Sequence, residues 1–370
     1  MRKYQLLILL SFIAASAGAQ RKYSNEFLNI GVGSAAFGLS GSVVASVNDV
    51  TAGYWNPAGL ARMTTPRQVS FMHSEYFAGI AKYDYGSFAT SVQDNTAVVG
   101  ASVLRFGVDD IPDTSELIDA DGNINYDRVK KFSAADYAFI FSYARKKRKA
   151  NKEGKKAEDN IVDSDGLSYG ANVKIIRRIV GEYGKAWGFG LDAGIQYKKG
   201  KWMFAAVGKD ITSTFNSWSY NADKLSTVYA QTGNDIPKSS TETTYPRVVL
   251  GAAYGTPISE KFNIMAETNI NLTTDGQRNV LVSADPVSAD PTIGLSVDFK
   301  KTIFLRGGVG NIQKSTDFTG KQIYTYQPNM GVGIKIKNFS LDYALTNVGN
   351  SSDALYSNVF SIRLDFDNNK

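Results

Sequence analysis

The segment Trp187-Gly-Phe-Gly-Leu-Asp-Ala-Gly-Ile-Gln-Tyr197 alternates without a break. Its odd positions are Trp, Phe, Leu, Ala, Ile and Tyr, and its even positions are Gly, Gly, Asp, Gly and Gln. Successive side chains of a strand face opposite sides, so this segment has one apolar face and one small or polar face. Ile293–Phe299, Met330–Lys337, Phe339–Leu345 and Phe360–Phe366 repeat the pattern. Past the N-terminus no run is long and apolar enough for a membrane helix. Alternating strands average out in hydropathy, so a membrane barrel stays open to this chain.

About fourteen strands are expected, an even number as closed bacterial barrels have. They lie near 67–74, 79–92, 96–106, 133–146, 166–178, 184–197, 201–208, 245–256, 261–271, 291–299, 301–309, 328–337, 338–346 and 357–366. Several connections alternate between long (107–132, 209–244, 272–290, 310–327, 347–356) and tight (257–260, 300, 337–338), as outer-membrane barrels alternate outside loops with periplasmic turns. The short 75–78 and 179–183 and the long 147–165 break the alternation. A soluble β-sandwich would bury the same apolar faces. A propeller is disfavoured, because no 40–50-residue signature recurs.

Met1–Ala19 has the form of a secretory signal peptide, with Arg2 and Lys3, an apolar Leu6–Ala15 and a small-x-small site at Ala17–Ala19. The expected organisation is a signal peptide over 1–19, an N-terminal plug over 20–66 and a barrel over 67–370. Within the plug, Gly31–Met63 is rich in Gly, Ala and Ser, which lets backbone approach backbone in a confined space. Pro57 pushes Asn56 out of the helical region, and Ala58–Ala61 can form a short turn with Pro57 at its first position.

The plug segment resembles the start of the FadL-like outer-membrane barrels, and most of all the PorV/PorQ family. The residues that carry the likeness are Phe27–Gly33, Asn48-Asp49 and Trp55-Asn56-Pro57-Ala58-Gly59-Leu60-Ala61. The sharp match covers about a tenth of the chain. The resemblance implies an all-β transmembrane barrel in the outer membrane of a Gram-negative bacterium. It also implies a plug motif of Asn48, Asp49, Tyr54, Trp55, Asn56, Pro57 and Gly59. Tyr54 and Trp55 are expected to anchor the plug against the wall.

Little in the sequence speaks for catalysis. There is no Cys, and His73 is the only His, so disulfides, thiolate metal sites and two-His metal sites are excluded within one chain. No G-x-S-x-G surrounds any Ser, and His73 reads as an ordinary strand residue. Gly31-Val-Gly33-Ser-Ala-Ala36 fits a loose dinucleotide fingerprint, but no βαβ unit follows it. Asp119-Ala-Asp121-Gly122-Asn123 and Asp163-Ser-Asp165-Gly166 contain fragments of calcium loops without the full ligand pattern. Neither cofactor nor enzyme activity is expected.

The formal charge of +6 falls to +4 without Arg2 and Lys3, too weak a bias for nucleic-acid binding. Lysines and arginines collect in the turns, at 146–156, 198–201, 300–301 and Lys337, and acids collect in the loop 107–132. Solvated turns explain the lysines, and a basic periplasmic face is the functional alternative. Tyr83, Tyr85, Tyr143, Trp187, Tyr197, Trp202, Tyr254 and Tyr343 are candidates for the aromatic girdles that meet lipid headgroups.

Two functions follow from the resemblance. A PorV/PorQ-like chain implies a type IX secretion component that binds translocon or attachment-complex proteins, or secreted cargo through its C-terminal signal domain. A FadL-like chain implies a transporter of hydrophobic molecules. Transport predicts a continuous apolar pocket beside Tyr54–Leu60, and secretion predicts a blocked lumen with partner-facing loops. A barrel with neither activity, its lumen filled by inward Gly, Ser, Asp and Gln, is the third alternative.

Overall fold

A computed structural model describes residues 24–77, 79–92, 96–119, 121–147, 165–232, 235, 239–316, 319–348 and 357–367. The expected signal peptide (1–19), the basic run 148–164 and Asp163 lie outside the described residues. The strands are β1 (Arg67–Tyr76), β2 (Ala81–Val92), β3 (Ala97–Asp113), β4 (Lys130–Lys146), β5 (Gly166–Val180), β6 (Gly184–Lys199), β7 (Trp202–Lys209) and β8 (Thr214–Tyr220). They continue with β9 (Ser239–Thr244), β10 (Arg247–Pro257), β11 (Phe262–Thr273), β12 (Ser288–Phe299), β13 (Ile303–Thr316), β14 (Gln322–Ile336), β15 (Phe339–Leu345) and β16 (Asn358–Phe366).

Each strand pairs antiparallel with its neighbours, and β1 pairs with β16, so the sheet closes. It closes as fourteen staves. β7 and β8 both pair with β6, at Ala193–Lys199 and Gly184–Phe189, and form one stave kinked at 210–213. β9 and β10 form the next, pairing with β8 and β7 and kinked at Tyr245-Pro246. Asp210 and Ser213 take left-handed backbone at the first kink, and Pro246 has no N–H to give a ladder at the second.

The closed ring removes the sandwich. So does the outer surface: Val103, Phe139, Ile175, Phe189 and Phe215 are register partners in a continuous row across β3, β4, β5, β6 and β8. All five are exposed. An apolar row of this extent needs an apolar solvent, and hydrocarbon supplies it. One residue along, the inward row is Leu104, Ala138, Ile176, Gly188 and Asn216, and among these Leu104, Ala138, Ile176 and Asn216 are buried.

All fourteen expected strands are present within a few residues of their expected bounds, apart from longer outer ends on β3, β13 and β14. Three loops are corrected. The stretch 209–244 holds β8, a helix at Ala222–Thr232 and β9; Thr214–Tyr220 was missed because its neighbours read as turn. Most of 310–327 is the extended hairpin of β13 and β14, and 107–132 gives up residues to β3 and β4. Polar residues such as Gln313, Lys314 and Thr325 pair there regardless of hydropathy, because ladder bonds use backbone alone.

Residues 24–66 lie inside the barrel. Ser24 and Asn25 meet Asn216, Glu242 and Thr244 on the β8–β9 hairpin, so the described chain starts toward the loop end of the lumen. It threads to the turn end, where Arg62 Nε donates to Ser168 Oγ at 3.1 Å. 3-10 helices at Glu26–Asn29 and Pro57–Arg62 and short helices at Ser34–Gly38 and Ala52–Trp55 are the plug's regular elements. Phe27, Leu28, Val32, Phe37 and Tyr54 form one buried cluster with Tyr83, Tyr85 and Leu104. Val47, Val50, Leu60 and Met63 form a second with Ala89, Val98 and Ala144, nearer the turns.

Glycines mark where plug and wall touch. A Cβ at Gly308 would stand 2.4 Å from the backbone of Leu39, and one at Gly170 would stand 2.6 Å from that of Pro57. These strand glycines are therefore packing features. Gly308→Val is expected to unseat the plug at Leu39-Ser40 and leave the outer wall intact, read as a new protease-sensitive site within 31–63 of a still heat-modifiable barrel.

Candidate functional site

Inward-facing polar side chains of the wall hold the plug by its backbone. Gln196 Nε2 donates to the carbonyls of Val44 and Val47 at 3.1 and 3.0 Å. Glu267 accepts the N–H groups of Ala45 and Ser46 at 2.7 and 3.1 Å. Gln68 accepts from Val50 N–H at 2.9 Å, and Asn172 and Asn269 donate to the carbonyls of Gly53 and Gly41 at 2.8 and 3.0 Å. The inward polar residues are thus receptors for an irregular segment whose own backbone lacks ladder partners. They do more than fill space.

The motif residues have separate tasks. Asn56 is fully buried: its Nδ2 donates to Val44 and Ile195 carbonyls at 2.9 and 3.2 Å, and its Oδ1 caps Ala58 N–H at 3.1 Å. Its extended backbone (φ −155°) is the one the following Pro57 favours. Gly59 is required because a Cβ there would lie 2.4 Å from the Val47 carbonyl oxygen. Asp49 accepts Thr51 N–H at 2.9 Å and pairs with Arg363 of β16 at 2.5 Å. Asn48 beside it is exposed.

Tyr54 and Trp55 hydrogen-bond within the plug, and Tyr54 also packs in one buried cluster with the wall residues Met72, Tyr83 and Leu104. Tyr54 Oη donates to the Leu28 carbonyl at 2.7 Å and accepts from Gly31 N–H at 3.0 Å; Trp55 Nε1 donates to the Val32 carbonyl at 2.9 Å. Burial pushes the Tyr54 phenol well above its usual pKa and keeps it a donor. The wall reaches both rings through Lys209, whose Nζ lies 4.5 Å from the Tyr54 ring centre and 5.7 Å from that of Trp55. These are cation–π distances.

Of the expected girdle, Tyr83 and Tyr85 are corrected. Both point inward and are buried against the plug, Tyr83 donating to the Phe27 carbonyl at 3.2 Å and Tyr85 to Ser102 at 3.1 Å. On β2 the residues that look out are those of the other parity, such as Phe88. Tyr143, Trp187, Tyr197 and Trp202 are exposed, and Tyr254 and Tyr343 share their outward parity. Trp202 packs on Tyr254 at 4.8 Å and Tyr343 on Phe360 at 4.9 Å.

His73 is also outward, bonded to Asp84 at 2.7 Å. Asp119 accepts the N–H groups of Asp121 and Asn123, a turn use of that carboxylate. No group of three or more metal-binding side chains occurs among the described residues.

Above the plug, toward the loop end, is a cavity of about 520 Å³. Phe37, Gly41, Val44, Tyr54 and Trp55 make its floor, and Tyr76, Phe77 and Phe106 one side. The opposite side is polar: Lys209, Arg247, Asn269, Asn271, Asp290 and Thr292. The pocket beside Tyr54 exists and its lining is mostly apolar, with the polar groups gathered on one side, and below it the plug fills the lumen. Sequence reading did not single out Lys209 or Arg247. The one signal was a cation at the inward parity of a strand.

Beside this cavity is a buried charge cluster. Lys174 Nζ lies 2.7 Å from Asp192 and 2.5 Å from Asp210, and Asp192 also accepts from Asp210 N–H at 2.9 Å. The cluster fastens the first kink to β5 and β6.

Fold and site together define a plugged, fourteen-stave β-barrel of outer-membrane type with a lumenal cavity. Neither a family model nor a curated protein matches the sequence. Solved structures do match. The CymD monoaromatic hydrocarbon channel superposes with a TM-score of 0.55 at 13% identity, over 91% of this chain and 98% of that one. The toluene transporter TodX of Pseudomonas putida gives 0.53 at 12% identity, over 91% and 98%. A FadL homologue from Pseudomonas aeruginosa gives 0.50 at 13%, over 90% and 98%. The fold is therefore FadL-like, and at these identities the likeness extends to fold alone. None of these matches names PorV/PorQ or type IX secretion.

Proposed function

We propose that this chain is a non-enzymatic outer-membrane transporter of small molecules with substantial apolar surface. The observation that carries the reading is the cavity over Tyr54 and Trp55. Its size lies within the range of small-molecule sites, and its floor is aromatic. The chain that would have to move is the plug, held by hydrogen bonds and small-residue contacts. The wall offers a second path. β9 pairs with β8 alone, so its other edge has no strand partner among the described residues. A small cleft lies there, lined by Thr244, Tyr245, Pro246, Arg247 and Thr273, next to the cavity. A ligand can leave sideways at that break.

The secretion reading implied by the PorV/PorQ likeness is second. What favours it is the plugged turn-end half of the lumen. Proteoliposomes loaded with the purified barrel separate the two. Transport predicts faster equilibration of toluene than empty vesicles show, and slower equilibration when Val249→Phe narrows the cavity from the wall. Unchanged equilibration, with translocon or cargo proteins co-purifying from detergent-solubilised membrane, would move the assignment to secretion.

A further inference from the structure

We propose that the ligand of this cavity is a small zwitterion with an apolar body, such as a short apolar peptide with free termini. This rests on the transport reading and narrows its substrate class. The polar side of the cavity carries unused groups of both signs. Lys209 is 7% exposed, and among the described residues its ammonium has the Tyr54 and Trp55 rings and no hydrogen-bond acceptor. Arg247, its direct register partner on β10, has no acceptor either. Farther round the wall, Asn271 and Asp290 are register partners on β11 and β12. Each has a buried Oδ1 without a donor.

Charge balance favours both signs in one ligand. The Lys174–Asp192–Asp210 cluster carries one excess negative charge, and Lys209, adjacent to Asp210, offsets it. That leaves Arg247 and Asp290 facing the cavity, with no ion pair between them. They stand two strand spacings apart, about 10 Å across the sheet, so neither neutralises the other. Glu26, the other charged group at the rim, already bonds Arg278 and Asn29. A hydrocarbon would leave the Lys209 and Arg247 cations without an acceptor and the Oδ1 atoms of Asn271 and Asp290 without a donor. A simple carboxylate would satisfy Arg247 and Lys209 and leave the Oδ1 atoms of Asp290, whose carboxylate otherwise has, among the described residues, only the Ile312 N–H, and of Asn271 without donors. A carboxylate toward Arg247 and Lys209, an ammonium toward Asp290 and Asn271, and an apolar body on Tyr54, Trp55 and Phe37 satisfies all of them.

The test is calorimetric titration of the folded barrel in detergent with phenylalanyl-leucine, its N-acetyl form, its C-terminal amide and toluene. The free dipeptide is expected to bind at least about 10-fold more tightly than either capped form, since a charge-assisted hydrogen bond is worth 1.5–3 kcal/mol. Arg247→Met should abolish the preference for the free carboxylate and keep that for the free amine. Asp290→Asn should do the reverse, and Asn271→Leu repeats that arm if Asp290→Asn does not fold. Equal binding of free and capped peptides, or preferences unmoved by these substitutions, overturns the proposal. Toluene binding with no preference among the peptides does so too, while leaving the transport reading standing. No binding by any probe and no vesicle permeability would remove both.

Discussion

Asn56→Ala is expected to free the plug while the barrel still assembles. Asn56 is the point where the Val44 turn of the plug, the 3-10 helix and the wall meet, through two donated bonds and one accepted bond. Removing it leaves the Ala58 N–H and one wall carbonyl short of a partner in a closed space, and creates a void against Gly194. The expected loss is about 2–4 kcal/mol of plug stability, from 1–3 kcal/mol for each buried group left unpaired. Asn56→Asp is the sharper variant. A carboxylate keeps the cap on Ala58 but aims negative charge at the Val44 and Ile195 carbonyls, so it should be at least as damaging. Planar-bilayer recordings are the readout: the parent closed, both variants showing frequent openings. Silent variants with an unchanged melting temperature would mean the plug is held elsewhere.

Lys174→Met is expected to cost more. Lys174, Asp192 and Asp210 are 5%, 5% and 7% exposed, and among the described residues the lysine is the one cation paired directly with either carboxylate. Breaking a buried ion pair by removing one partner costs about 3–5 kcal/mol, because the remaining charge is left uncompensated. Here two carboxylates would face each other at the kink. The loss should appear as a lower temperature of heat-modifiable gel migration and as protease cleavage near 210–213. Adding Asp192→Asn and Asp210→Asn to Lys174→Met should recover much of it. A single variant as stable as the parent would show that the cluster is solvated.

Much of the barrel was legible along the chain. Trp187–Tyr197 and its counterparts alternate because each stave divides lipid from lumen, and a period of two is local information. The Asn56-Pro57 turn and Gly59 were legible for the same reason, since backbone restriction acts on adjacent residues. The kinked staves were not: Thr214–Tyr220 became a strand only because β6 offered it a partner beyond the end of β7. The girdle failed at Tyr83 and Tyr85 because a tyrosine suits a headgroup interface and a lumen equally well, and only register assigns its side.

The same division holds for function. By itself the sequence determined a two-faced strand set, a compact small-residue segment ahead of it, and, with no Cys and a single His, the exclusion of disulfides, thiolate metal sites and two-His metal sites within one chain. Each is a property of composition or of neighbours a few positions apart. Tertiary structure decided that the small-residue segment sits inside, that inward polar residues grip its backbone, and that Lys209, Arg247, Asn271 and Asp290 share one cavity. Those four lie 81 residues apart at the extremes of the chain segment that holds them, from 209 to 290. Pairing of the neighbouring strands β7, β10, β11 and β12 brings them together, and that register is set by partners far apart in sequence.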